Sequence, residues 1–132
     1  MGTWGPGTFE NDEASDWVYE LEEAEDTTLL REALEVVAEP EGYIEAQDAA
    51  IALAAAEVVA ALAGHPAPDL PEEVEAWVAS HRRAPVRELV SLSIRAVDQI
   101  LADSELNDQW AETADHVLWV DRVQELRSRL EG

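Results

Sequence analysis

Apolar residues recur along this chain with the period of an α-helix, and no stretch alternates as a half-buried strand would. Residues 1–11 stand apart. Gly2, Gly5, Pro6 and Gly7 forbid a regular helix there and predict an extended leader, punctuated by Trp4 and Phe9. Ala14, Trp17, Val18 and Leu21 then predict a first helix, opened by Asn11 or Asp12 and closed by acids between Glu22 and Asp26. A second opens at Thr27 or Thr28, carries Leu30, Ala33, Leu34 and Val37, and ends at Pro40 and Gly42.

The third helix, from about Glu45 to Ala63, is apolar nearly all round and belongs in the middle of a bundle. Gly64 ends it, and Pro71 opens the fourth, whose stripe is Val74, Trp77 and Val78. A fifth follows Pro85, with Val86, Leu89, Val90, Val97, Ile100 and Leu101 on its apolar face. Ser104 caps the last segment, which carries Leu106, Trp110, Val117, Trp119, Val123, Leu126 and Leu130. Its stripe changes phase around Thr113 to His116, which predicts a kink or short break. The expected fold is all-α: one domain over residues 1–132, with the leader at 1–11 and a compact bundle of about six helices at 12–130.

Size and composition narrow the functions. A chain of 132 residues buries roughly two-thirds of its unfolded surface, enough for a core without metals or disulfides. There is no cysteine, which excludes disulfide frameworks, thiolate metal sites and thiol catalysis and fits a cytoplasmic location. The start shows no basic region followed by an apolar one, so no secretory signal is expected. Pro6 stands where a myristoylation motif wants Ser or Thr. The most apolar stretch, Ala49 to Ala63, is too short to span a bilayer comfortably, and no membrane association is expected.

Charge is the strongest global signal. Thirty acids face eight bases, all arginine, for a formal net charge of −22. Phosphate backbones and anionic lipids repel such a chain, so no nucleic-acid partner is expected. The acidity has bland explanations in solubility, adaptation to high salt, or a GC-rich genome. The sharper one is an acidic surface that docks on a basic protein.

Candidate chemistry is sparse. The glycine-rich leader lacks the strand, the Gly-Lys-Ser/Thr ending and the Gly-x-Gly-x-x-Gly spacing of phosphate loops. Asn11, Asp12, Glu13 and Asp16 could hold a hard cation, but they lack the EF-hand spacing and read as a capped, dipole-compatible helix start. His116 has Glu112 one turn before it and Asp108 two turns before; the Glu112/His116 pair could ligate a metal, but two ligands do not make a site. Ser91 and Ser93 lie mid-helix, with no Gly-x-Ser-x-Gly elbow. No metal or cofactor site is expected. Glu57 is the most unusual residue, a carboxylate inside the most apolar helix. Such a group finds a partner or has its pKa raised. Arg95 is the expected partner for a structural ion pair; the functional alternative is a general acid or base.

The run from Gly2 to Trp17, with Gly-x-Trp-Gly-x-Gly-x-Phe-x-Asn-Asp-x-Ala-x-Asp-Trp spacing, resembles the opening of an uncharacterised bacterial family catalogued as domain of unknown function four-two-five-nine. Ala54 to Ala60, Leu70 to Glu73 and Ser104 to Trp110 are similar to later stretches of it. The resemblance covers nearly the whole chain and implies no activity. It draws attention to Trp4, Asn11, Asp12, Asp16 and Glu57, which match motif positions. One account unites the first four: the leader folds back over the bundle, Trp4 and Phe9 fill a groove, and Asn11, Asp12 and Asp16 bond the leader's backbone N–H groups.

Two functions are carried forward. The first is a small acidic, non-enzymatic module that binds another protein, an antagonist or immunity-type protein being one concrete form. The second is a small enzyme or cation-binding protein using the N-terminal acids and Glu57. The second requires those residues to converge.

Overall fold

A computed structural model describes Gly5 and residues 7–132. Seven helices are present among them: α1 (Asp12–Glu23), α2 (Thr28–Ala38), α3 (Ala46–Leu62), α4 (Glu72–Ser80), α5 (Arg87–Ala102), α6 (Glu105–Ala111) and α7 (His116–Glu131). No strand occurs among the described residues. The all-α expectation holds, with one helix more than expected.

The extra helix comes from the phase change near Thr113. The segment after Ser104 breaks fully there into α6 and α7. Thr113 replaces the helical ladder locally: its hydroxyl donates to the Trp110 carbonyl at 2.8 Å and accepts from the Asp115 N–H at 3.1 Å. The break resets the buried stripe to Trp119, Val123, Leu126 and Leu130. Val117, expected in that stripe, is consequently 69% exposed.

Helix α3 is the axis of the bundle and touches every other helix. Its buried residues run from Ala49 to Ala61 with only Ile51 partly exposed, and alanine's small side chain lets neighbours pack closely. Two local devices fix its surroundings. At its end, Gly64 takes φ +97°, the left-handed region that favours glycine. The His65 N–H then bonds the Ala60 carbonyl at 2.9 Å and the Gly64 N–H bonds the Ala61 carbonyl at 3.0 Å, a Schellman ending. Near its start, the Ala46 N–H is bonded by the Glu105 carboxylate of α6 at 2.8 Å.

The caps follow the sequence. Asn11 accepts from the Ala14 N–H at 2.8 Å, and Ser104 accepts from the Asn107 N–H at 3.1 Å. Trp77 of α4 buries its ring and donates its indole N–H to the Ala24 carbonyl at 3.0 Å, tying α4 to the end of α1. No helix among the described residues is long and apolar enough to cross a membrane.

Candidate functional site

The centre of interest is Glu57. Its neighbours on α3 are buried apolar residues, and its own side chain is 7% exposed. Desolvation of an isolated carboxylate would cost far more than a helix can absorb, so it needs a countercharge. Arg129, in the last turn of α7, supplies it through two hydrogen bonds of 3.0 Å, one to each carboxylate oxygen. The same guanidinium donates to the Glu125 carboxylate at 2.6 Å and to the His65 carbonyl at 3.1 Å. Arg129 thus clamps α7, the middle of α3 and the loop after α3 together.

Arg95, the partner expected from sequence, does not fill this role. The face of α5 turned to the core is Leu89, Leu92, Ser93, Ala96, Val97 and Ile100, which leaves Arg95 exposed on the other side. Arg129 lies beside Leu126 and Leu130, at the edge of a buried stripe. There a long side chain covers apolar surface with its stem and delivers its head to a buried acid. That edge position was the available sequence signal.

Burial pushes the Glu57 carboxyl above its ordinary value, and the hydrogen bonds and charge of Arg129 pull the other way. Burial also opposes charge on Arg129, but its bonds to Glu57 and Glu125 outweigh that and raise its pKa. The arrangement is a buried, bidentate ion pair. Each Glu57 oxygen already receives a guanidinium proton, which leaves the carboxylate poorly placed to accept one from a substrate.

The pair forms one wall of a cleft of about 680 Å³, with Thr8, Glu10, Asp69 and Arg122 among its other walls. The Thr8 hydroxyl approaches Glu57 at 3.5 Å, so the leader does fold back onto the bundle. Phe9 is partly buried against the core. Trp4 lies outside the described residues.

The other sequence candidates fall in different places. Asn11 works as a latch, but to a carbonyl: its amide donates to the Thr8 C=O at 3.1 Å while its oxygen caps α1. The leader N–H that needs a partner, that of Gly7, is taken by the Glu10 carboxylate at 2.9 Å. Asp12 and Asp16 are exposed on α1, with no hydrogen bond from their side chains to any described residue. The expected bonds from these two acids to leader N–H groups are therefore not made to the described part of the leader, because Asn11 and Glu10 are nearer to it in the chain. Neither Asp12 nor Asp16 lines the cleft that holds Glu57 in its wall.

The histidine constellation dissolves as well. The break before α7 removes the helical register between Glu112 and His116. His116 instead sits 2.8 Å from the Asn107 amide oxygen, and Asp108 accepts from the Tyr43 hydroxyl. That bond pushes Tyr43 up to about 12. Among the described residues, no group of three or more acids and histidines is placed to hold a metal ion.

Compared with family models, residues 2–122 match the family described as Domain of unknown function (DUF4259). The chain belongs to this family. The match takes in the leader, Asn11, Asp12, Asp16 and Glu57, and it ends within α7, ahead of Glu125 and Arg129. No curated protein and no solved structure matches the chain.

Proposed function

We propose that this member of the family is a non-enzymatic binding module whose acidic surface engages a basic protein in the cytoplasm. An antagonist that covers the basic surface of a toxin or nuclease is one concrete form. The observation that carries the reading is where the charge lies. Of thirty acids only Glu57 is buried, and Arg129 neutralises it. The rest of the negative charge faces solvent. Of the eight arginines, Arg31, Arg122, Arg127 and Arg129 are engaged in ion pairs within the molecule. The surface field is therefore strongly negative, and its chief effect on a basic partner is fast, salt-sensitive association.

The test is affinity capture from a lysate of the source organism at low and high salt, with mass spectrometry of what is retained. The screening length falls from ~10 Å at 0.1 M to ~3 Å at 1 M. A basic protein retained at low salt and released at high salt is the expected result. Capture that ignores salt, or no capture under either condition, contradicts the proposal.

A further inference from the structure

Helices α1 and α4 pack side by side and leave a groove of about 160 Å³ between them, in which Phe9, Val18 and Pro71 are joined by the polar Ser15, Tyr19 and Glu73. This is below the ~300–1,000 Å³ of small-molecule pockets and suits a single side chain. Tyr19 stands on its rim with 67% of its surface exposed. An exposed aromatic beside a slot of mixed polar and apolar lining has the composition of an interface anchor. Tyr43, the other exposed tyrosine, has its hydroxyl held by Asp108.

The charge around the groove decides what can occupy it. Asp12, Asp16, Tyr19 and Glu23 follow one another at helical spacing, so the ring sits in a stripe of carboxylates on one face of α1. Helix α1 carries six acids and α4 three, and neither carries a base. An acidic or neutral segment gains nothing from this setting. A cation placed over the Tyr19 ring gains from the ring face and from the carboxylates one turn to either side.

We propose that the α1–α4 groove is the docking face, and that its occupant is a basic segment which lays an arginine over Tyr19 and one aliphatic side chain between Phe9, Val18 and Pro71. The proposal rests on the basic-partner reading above and adds the place and the chemistry. It gives Asp12 and Asp16 a role as charges flanking the anchor.

The test uses the full chain and a short synthetic arginine-rich peptide with one central leucine, followed by amide chemical-shift mapping at low salt. Shifts should concentrate on residues 9–23 and 71–75. Tyr19→Ala should weaken binding about two- to fivefold, the range of an exposed cation–π contact. Replacing the peptide's leucine by alanine should weaken it too. Asp12→Asn with Asp16→Asn should weaken binding more than Asp103→Asn with Asp115→Asn, which removes equal charge from positions outside α1, α4 and the groove lining. All these positions are exposed, and circular dichroism checks that each variant folds. Shifts spread over all helices, with both double variants equally weakened, would overturn the docking face and leave the basic-partner reading standing. No peptide binding at low salt would overturn both.

Discussion

The Arg129 guanidinium meets the Glu57 carboxylate through two 3.0 Å hydrogen bonds across seventy-two residues of sequence, from the last turn of α7 to the middle of the bundle's axis. Both groups are largely withdrawn from water, with side chains 15% and 7% exposed. A pair so buried adds little net stability over an apolar pair, because desolvation of two charges offsets their attraction. Breaking it is another matter, since one charge is then left without a partner.

Arg129→Met alone should therefore destabilise the fold by about 3–5 kcal/mol. Adding Glu57→Leu should restore most of that loss. Chemical denaturation of the two single variants and the double variant measures the coupling. A double variant as unstable as the worse single one would contradict the pairing.

The pH dependence has a definite sign. Burial holds the folded-state Glu57 pKa above its ordinary value of 4.5. The folded state thus keeps a proton that the unfolded chain releases. The stability that Glu57 contributes is fully present below its unfolded pKa and is lost as pH rises through the folded value. Denaturation of the protein and of Glu57→Gln from pH 4 upward, about where the unfolded group titrates, isolates the effect. The protein's advantage over the variant should shrink with rising pH; an advantage that grows would mean Arg129 outweighs burial.

Two buried serines should respond oppositely to alanine. Ser104 is fully buried, accepts from the Asn107 N–H and donates to the Ile100 carbonyl at 2.9 Å. Ser104→Ala should cost about 0.5–2 kcal/mol, the worth of an N-cap. Ser93 is equally buried, and its hydroxyl has no hydrogen-bond partner among the described residues. Ser93→Ala removes an unsatisfied polar atom and should leave stability unchanged or slightly higher. Thermal denaturation of both variants gives the comparison.

Much of the fold is readable from single-residue signals. Asn11 and Ser104 cap helices because their side chains offer acceptors at the right place, and Gly64 ends α3 because it tolerates a positive φ. Glu57 stands out because a carboxylate conflicts with its neighbours. What is less legible is pairing across the bundle. Arg95 lies between Ile94 and Ala96 and Arg129 beside Leu130, so each borders apolar residues in the sequence, and the rotation of α5 and α7 about their axes decides which one reaches Glu57. The helical register of Glu112 and His116 was lost for a similar reason, since a short break changes every angular relation beyond it. Tyr19 lies off the apolar stripe of α1, so its exposure is legible in the sequence, but its groove arises only when α4 packs against α1.

The end of α7 should be indispensable although the family match stops at residue 122. Val123, Leu126 and Leu130 are buried, each worth about 1.5–3 kcal/mol, and Arg129 lies among them. Their sum approaches the ~5–15 kcal/mol that holds a typical domain together. Deleting residues 123–132 should abolish cooperative unfolding by calorimetry; a deletion protein that still melts cooperatively would refute this.

The central claim is that Glu57 belongs to the scaffold while the outer acids meet the partner. Repeating the salt-dependent capture with the Glu57→Leu, Arg129→Met double variant tests it most directly. The account predicts a folded protein that retains the same basic partner and releases it at high salt. A folded double variant that no longer captures the partner would place recognition at the Glu57 cleft and contradict the account.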